Sequence, residues 1–221
     1  MKIDILTLFP TMFAGPFDTS MLKKAQDNNL AEINIHDLRK WTKDKHKTVD
    51  DKPYGGGPGM VIRVDVVYDA ISSLQLPISD EKKRKIVLTS AKGGNYTQKK
   101  AQSFSKLDHL IIIAGHYEGV DERVAKYLAD EEVSIGEYIL TGGEIPAMVI
   151  VDSVVRLIPK VLGNPESLVS ESFSPSTNPH LPPTNLDYPT YTRPENYKGW
   201  KVPEVLLSGH HAEIEKWRKN H

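Results

Sequence analysis

Three glycine-bearing segments, which we expect to follow strands, are the parts of this sequence with the clearest chemical meaning. They are residues 89–94, 115–119 and 134–144. Ligands of open α/β sheets lie beyond the carboxyl ends of the strands, and glycine lets backbone approach a ligand closely. The segments hold few cations and match neither GxGxxG nor GxxxxGK[ST]. The pattern therefore favours one composite pocket for an adenosine-like ligand over a polyphosphate site.

A fourth segment, TVDDKPYGGGPGM at residues 48–60, is rich in glycine and follows a basic run. Residues 39–52 hold six Lys or Arg against three Asp, and KKRK at 82–85 is a second basic cluster. One interpretation is a flexible, solvated surface loop. The other is a loop that nucleic-acid backbone approaches closely, with cations for phosphates and Asp50 and Asp51 as acceptors for base edges.

The elements that must position these segments alternate between strand and helix patterns. Strands are predicted at 2–8, 31–36, 85–89 and 109–114, with a short apolar stretch at 134–140. Helices are predicted at 20–28 (with Ser20 as N-cap), 64–74, 97–104, 121–128 and 143–158. This alternation predicts an α/β domain with a mainly parallel sheet.

The composition changes after the α/β region, which we assign to residues 1–162. Seven prolines occur between 163 and 194, so residues 163–190 are predicted to be an interdomain linker. Residues 191–221 are expected to form a small helical domain, with one helix over 203–220. So short a segment cannot bury a core of its own, so it must pack on the main domain, a second subunit or a ligand.

The overall composition narrows the class of protein. The net charge is −1 and there is no cysteine, so neither disulfides nor a cysteine-based zinc site is expected. The eight histidines show no metal-ligand spacing, and no metal site is predicted. No apolar run reaches membrane-spanning length, and the N-terminus is unlike a signal peptide. We therefore expect a soluble, cytoplasmic protein.

Several long stretches together resemble one known family. They are LFPTMF near the start, HKTVDDKPYGGGPGM at 46–60, GHYEGVDERV at 115–124, SIGEYILTGGEIPAMVIVDSVVRLIPKVLG at 134–163, YTRPE at 191–195 and VPEVLLSGHHAEIEKWR at 202–218. The chain resembles the TrmD family, the bacterial tRNA (guanine-N1)-methyltransferases of the SPOUT group. The matches follow the family's order and cover nearly the whole chain.

The resemblance implies a fold and an activity. The α/β sheet is expected to end in a deep trefoil knot, followed by a small helical, tRNA-binding C-terminal domain. The implied reaction moves a methyl group from S-adenosylmethionine to N1 of guanine 37 in tRNAs with guanine at position 36. The implied assembly is a homodimer with active sites at the subunit interface, with neither membrane nor DNA as a partner. An association with Mg²⁺ is also implied, without a site.

The resemblance assigns binding residues to the segments described above. The tRNA side is assigned to Asp50, Tyr54, Gly59 and Ser172. The S-adenosylmethionine contacts are assigned to the three glycine segments and the strand end before the first: Leu88, Thr89, Ser90, Gly115, Tyr117, Glu118, Gly119, Ser134, Ile135, Gly136, Glu137, Tyr138, Ile139, Leu140, Gly142, Gly143 and Pro146.

The chemistry requires two further groups. Guanine N1 carries a proton at neutral pH, so a carboxylate must remove it while a cation or donor stabilises negative charge growing at O6. The resemblance assigns the second role to Arg156. It assigns the first to a linker position that is usually Asp in the family and is Glu171 here. Either Glu171 is the base and the linker lies further from the substrate to accommodate its longer side chain, or Glu171 is a capping or solvated residue and the enzyme is slow.

Three other departures and two alternative functions accompany this assignment. His116 replaces an arginine common in the family, and the linker is longer and the C-terminus shorter than in many relatives. The first alternative is a catalytically impaired RNA-binding relative of the same fold. The second is a knotted methyltransferase that acts on ribose or ribosomal RNA, against which the 46–60 segment argues.

Overall fold

A computed structural model describes residues 1–74, 83–163, 172–173 and 188–219. The chain divides into two compact units, Met1–Pro165 and Glu166–His221. Most of the predicted linker, including Glu171, lies outside the described residues.

The first unit is built on a five-stranded sheet in which every neighbouring pair is parallel. In chain order its strands are β1 (Lys2–Thr7), β2 (Glu32–Asp37), β5 (Arg84–Asn95), β6 (His109–Ala114) and β7 (Glu131–Ser134). Two short antiparallel strands, β3 (Asp50–Asp51) and β4 (Val61–Ile62), form a separate hairpin. The sheet order β2-β1-β6-β5-β7 confirms the predicted α/β class with a mainly parallel sheet.

Five helices cover the two faces of this sheet. They are α1 (Ser20–Asp27), α2 (Val64–Leu74), α3 (Gln98–Phe104), α4 (Glu122–Tyr127) and α5 (Glu144–Val155). Helices α1, α3 and α5 share one apolar cluster with the sheet, and α2 and α4 share the other. Strand β6 lies between β1 and β5 and is buried at all six positions, because a central strand covered on both faces has no solvent side.

Some predicted boundaries are wrong. The N-cap of α1 is Thr19 rather than Ser20, and α5 ends at Val155 rather than at residue 158. Strand β5 continues to Asn95, well past the predicted end at residue 89. Strand β7 was not predicted, because its sequence EEVS is acidic although Val133 and Ser134 are buried.

The second unit contains a hairpin and two helices among its described residues. The hairpin pairs β8 (Asn196–Tyr197) with β9 (Trp200–Lys201), and the helices are α6 (Glu204–Leu207) and α7 (His211–Lys219). The prediction of one helix over 203–220 is therefore wrong. Gly209 has φ +71, a left-handed conformation that suits glycine and ends a helix. The aromatic pair Tyr191–Trp217, with ring centroids 6.3 Å apart, joins the start of the unit to α7.

No helix in the described part of the chain is long and apolar enough to cross a membrane.

Asp4, which is fully buried in β1, is the centre of a polar cluster. Its carboxylate contacts His36 Nε2 at 2.8 Å, His109 Nε2 at 2.6 Å and Lys2 Nζ at 3.2 Å. Burial alone raises the pKa of Asp4, but the hydrogen bonds from His109, His36 and Lys2 outweigh it and hold the pKa far below its usual range. The cluster therefore ties β1 to β2 and β6 through a charge that is ionised at neutral pH.

Replacing Asp4 by asparagine should lower the free energy of unfolding by about 3 kcal/mol at neutral pH, because it breaks a buried charge network. The folded-state pKa lies below the unfolded one, so the stabilisation is complete above about pH 4 and is lost as pH falls below it. Urea unfolding at about pH 7 and about pH 3 should therefore show a smaller difference between wild type and variant at the lower pH. Asp27→Asn, which removes an exposed ion pair with Lys23, is the control, with a change below about 1 kcal/mol. An equal Asp4→Asn difference at both pH values would contradict the expectation.

Candidate active site

A cleft lies at the carboxyl ends of β5, β6 and β7, which are neighbours in the sheet. It contains about 560 Å³ of empty space, part of which is open to solvent. All three predicted glycine segments contribute to its wall. The lining residues are Thr89, Ser90, Ala91, Gly115, His116, Val133, Ser134, Ile135, Gly136, Tyr138, Ile139, Leu140, Gly142, Gly143 and Pro146.

Hydrogen bonds join the three segments into one framework. Thr89 Oγ1 donates to the carbonyl of Ile113 at 3.1 Å and lies 3.4 Å from that of Gly143. The amide of Gly143 donates to the carbonyl of Gly115 at 2.6 Å. Ser134 Oγ donates to the carbonyl of Gly136 at 3.0 Å and closes the start of the third segment. The cleft is therefore formed before any ligand binds.

Two glycines in the third segment are required by close approach. A Cβ at Gly143 would overlap Thr89 Oγ1, and a Cβ at Gly142 would overlap the side chains of His116 and Glu144. Any larger residue would displace the facing segment or enter the cleft. The glycines therefore allow the three segments to lie in direct contact around the cleft.

The first segment includes an irregularity in β5. Val133 of β7 pairs with both Thr89 and Gly94, so residues 90–93 leave the β-ladder and return to it at the same point. Gly93 lies against the backbone of Val133, where a Cβ would overlap it. This excursion brings Ser90 and Ala91 into the cleft wall.

Most, but not all, of the expected cofactor residues line the cleft. Leu88 is buried within β5, and Tyr117, Glu118, Gly119 and Glu137 are not among the lining residues. Three lining residues were not assigned from the sequence: Ala91, His116 and Val133. Ala91 and His116 could have been assigned from the sequence, because they lie inside the first two glycine segments. Val133 belongs to β7, the strand that was not predicted.

His116 is held in the cleft wall by aromatic and polar contacts. Its ring centroid lies 4.5 Å from that of Phe9 and 5.1 Å from that of Tyr117. Its Nδ1 lies 3.3 Å from Oε2 of Glu144, a residue that is fully buried at the start of α5. The other carboxylate oxygen of Glu144 accepts a hydrogen bond of 2.8 Å from Thr7 Oγ1.

The 48–60 segment, which contains β3 and leads into β4, is attached to the second glycine segment. The amide of Ile62 donates to the carbonyl of Gly119 at 3.0 Å, and the amide of Glu118 donates to that of Met60 at 3.1 Å. Gly59 lies so close to the Glu118 side chain that a Cβ would overlap it. Of the residues assigned to tRNA here, Asp50 is half-buried in β3, while Tyr54 and Gly59 are exposed.

A wide groove runs beside this hairpin, lined by residues 51–54, 61–65 and 121–123. Arg63 donates two hydrogen bonds to Asp65, at 3.1 and 2.6 Å, and Arg123 donates two to Asp121, at 2.8 and 2.7 Å. The arginine hydrogen bonds lower the pKa of Asp65 and of Asp121 below their usual values. No sequence pattern marked Arg63 or Arg123 as a candidate site residue, and the structure places both in the groove beside Tyr54.

Of the two residues assigned to catalysis, Arg156 is not among the described residues that line the cleft. Arg156 directly follows α5, about 20 Å along the helix from Gly143, since each helical residue advances about 1.5 Å. Ser172 is half-buried, and Glu171 lies outside the described residues.

The close contact of Gly59 with Glu118 leads to a stability prediction. Gly59 and Gly55 both have positive φ, +77 and +84, but a Cβ at Gly55 would meet nothing within 4 Å. Gly55→Ala should therefore cost only the left-handed backbone penalty of about 1–2 kcal/mol. Gly59→Ala should cost about the same, because the overlapping atoms belong to the exposed, flexible side chain of Glu118, which can move aside; urea unfolding of the two variants measures the difference. Adding Glu118→Ala to Gly59→Ala should therefore change the free energy of unfolding little further, and a clearly larger loss in Gly59→Ala than in Gly55→Ala would contradict this reasoning.

The family model described as tRNA (Guanine-1)-methyltransferase TrmD matches residues 1–221. The chain belongs to this family. It is 53% identical to the tRNA (guanine-N(1)-)-methyltransferase of Dictyoglomus turgidum over 219 aligned residues. The alignment covers 99% of this chain and 84% of that protein. It is 52% identical, over 99% of its own length, to the enzymes of the same name from Bacillus pumilus and Geobacillus kaustophilus, of which it covers 86% and 85%.

For a TrmD-family protein, the cleft and the attached 48–60 segment are therefore the candidate active site. The sulfonium of S-adenosylmethionine is compatible with a lining that contains no Lys or Arg. Within the described ranges, no group of three or more His, Cys, Asp or Glu could hold a metal ion.

Proposed function

We propose that this chain, as a TrmD-family methyltransferase, transfers a methyl group from S-adenosylmethionine to N1 of guanine 37 in tRNAs with guanine at position 36. The observation that carries the proposal is the preformed cleft in which all three glycine segments meet, joined by backbone hydrogen bonds to the 48–60 segment. A tRNA substrate gives the reaction a cytoplasmic location.

The lining of the cleft fits the chemistry of S-adenosylmethionine. Its wall combines apolar side chains, such as Ile135 and Leu140, with hydroxyl and backbone groups, a combination that suits an adenosine and a short aliphatic chain. S-Adenosylmethionine supplies an electrophilic methyl group carried on a sulfonium. The proposed contacts are the cleft-lining members of the set assigned above, together with Ala91, His116 and Val133.

The surface around the 48–60 segment fits the approach of an RNA loop. Tyr54 is fully exposed and offers a ring for stacking on an unpaired base. Asp50, fixed by its pairing with Ile62, offers a carboxylate for a base edge. Lys52 in the same groove offers a cation for phosphate. We infer that the target guanine is presented between this surface and the cleft.

The proposed chemistry assigns two roles. Glu171 removes the N1 proton as the methyl group transfers, and Arg156 stabilises the charge that grows at O6. A carboxylate suits the first role because a protonated N1 has no lone pair in the ring plane to attack with. A guanidinium suits the second because it stays charged at all relevant pH values.

We propose that two chains form each active site. Along α5, Arg156 lies about 15 Å from Pro146, the lining residue nearest to it on that helix, so we infer that a second subunit supplies Arg156. Ile145 and Val149, one turn apart on α5, are 44% and 42% exposed, and Ile139 beside the cleft is 83% exposed. These apolar groups fit a subunit contact. We also infer a SPOUT knot in the C-terminal part of the domain at residues 1–162, the linker at 163–190 and a tRNA-binding domain at 191–221.

The test is methyl transfer from labelled S-adenosylmethionine to two unmodified tRNA transcripts. Both have guanine at position 36; one has guanine and the other adenine at position 37. Label only in the first, mapped to N1 of guanine 37, is the expected result. Cofactor binding without transfer to either transcript would favour the impaired RNA-binding relative, and label on ribose or on ribosomal RNA would favour the other alternative.

A further inference from the structure

Glu144 is a fully buried carboxylate directly behind the cleft wall. It lies in the first turn of α5, where the helix dipole stabilises negative charge. The hydroxyl of Thr7 accepts a hydrogen bond from the amide of Phe9 at 2.9 Å and donates its own proton to Glu144 Oε1 at 2.8 Å. The Thr7 hydroxyl is therefore the donor to Glu144, and a carboxylate accepts hydrogen bonds and donates none.

The Glu144 carboxylate, as an acceptor, determines the tautomer of the neighbouring imidazole. His116 Nδ1 lies 3.3 Å from Glu144 Oε2, and two acceptors cannot share a hydrogen bond. Nδ1 therefore carries the proton, and in the neutral ring Nε2 keeps a free lone pair. Of the described residues that line the cleft, only His116 carries a side-chain nitrogen, so this lone pair is distinct from every hydroxyl and carbonyl around it.

We propose that Glu144 is a positioning residue that holds His116 in the Nδ1–H tautomer, so that the cleft wall accepts a hydrogen bond from an N–H group of the cofactor. The proposal rests on the proposed function, because it takes S-adenosylmethionine as the occupant of the cleft. Two N–H groups of that cofactor have the required chemistry: the ammonium of its methionine part and the amino group of its adenine.

Glu144→Gln is the variant that separates tautomer from packing. Glutamine matches glutamate in size, and its carbonyl oxygen accepts the Thr7 hydrogen bond. Its amide then faces His116 and donates to Nδ1, which moves the imidazole proton to Nε2. The cleft wall would present a donor where wild type presents an acceptor. Thr7→Val is the matched control, because it removes the hydrogen bond to Oε1 and leaves the Oε2–His116 contact in place.

The first readout is ¹⁵N NMR of the full chain labelled at histidine, at about pH 8, where an unperturbed imidazole is neutral. The His116 signals are identified by their absence in His116→Gln. We expect the proton on Nδ1 in wild type and Thr7→Val and on Nε2 in Glu144→Gln. A wild-type proton on Nε2 would overturn the proposal without any variant, and an unchanged tautomer in Glu144→Gln would overturn it as well.

The second readout is calorimetric binding of S-adenosylhomocysteine, which keeps both N–H groups. Glu144→Gln should weaken it about tenfold, the loss expected for one hydrogen bond, and Thr7→Val by less than about twofold. 5′-Methylthioadenosine lacks the ammonium, so if Glu144→Gln still binds it more weakly than wild type does, the adenine amine is the donor to His116. S-Inosylhomocysteine lacks that amine, so if Glu144→Gln still binds it more weakly, the ammonium is the donor. A reversed tautomer with unchanged affinity would overturn the proposal alone, whereas failure of wild type to bind any of these ligands would overturn the proposed function too.

Discussion

Glu171→Gln should lower the rate of methyl transfer about a thousandfold, within the range that a general base contributes. Glutamine keeps the length of the side chain but cannot take the N1 proton, so the affinity for S-adenosylmethionine should stay unchanged. Single-turnover transfer to the guanine-37 transcript measures the chemical step. Glu166→Gln, which changes another carboxylate of the same predicted linker, is the matched control and should stay within about twofold.

Glu171→Asp tests whether the linker is set for the longer side chain. Aspartate and glutamate have similar reference pKa values, about 3.9 and 4.3, so basicity is preserved while the carboxylate is withdrawn by about 1 Å. A displacement of that size is expected to cost about a hundredfold. If Glu171→Gln retains activity within twofold of wild type, Glu171 is a capping or solvated residue and another group must accept the proton.

Arg156→Ala should lower the rate about a hundred- to a thousandfold, as removal of one donor to a developing oxyanion does. The sharper result is expected from mixed dimers. Ser90 is half-exposed in the cleft wall, so Ser90→Trp should block the cofactor cleft from its rim without disturbing the core. Each variant alone then lacks one part of every site.

Equal amounts of Arg156→Ala and Ser90→Trp chains, unfolded and refolded together, should regain about a quarter of wild-type activity. Half of the dimers are then mixed, and each mixed dimer has one site with an open cleft and an intact Arg156 from the other chain. Each variant refolded with itself is the control. Absence of recovery despite demonstrated mixed dimers would show that Arg156 serves the cleft of its own subunit.

The sequence predicted best those elements whose pattern is strong and local. Helix α2 and strand β6 were predicted at their observed limits, because one has a clear apolar face and the other is apolar throughout. Strand β7 was missed because its sequence, EEVS, is acidic, although Val133 and Ser134 are buried where β7 pairs with β5. The break at Gly209 was missed because a glycine within a helical pattern can be tolerated, and only the backbone conformation shows that it ends α6.

The site was partly predictable for a different reason. Parallel strands bring their carboxyl ends to one edge of a sheet, so three glycine segments after three such strands had to lie near one another. The contribution of His116 depends on Glu144, which is close in space but 28 residues away, and no local pattern reports such a contact. Arg63 and Arg123 reach the groove only because the hairpin is bonded to the second segment.

The excursion in β5 has a consequence for how this sequence can change over evolution. Residues 90–93 leave and rejoin the sheet opposite the same residue, Val133, so their number is fixed by the ladder on both sides. An inserted or deleted residue would shift the pairing of β7, whose last residue, Ser134, opens the third glycine segment. Ala91 and Lys92 are exposed and can be exchanged for other residues. We therefore expect homologous sequences to differ at residues 90–93 by substitutions and not by insertions or deletions.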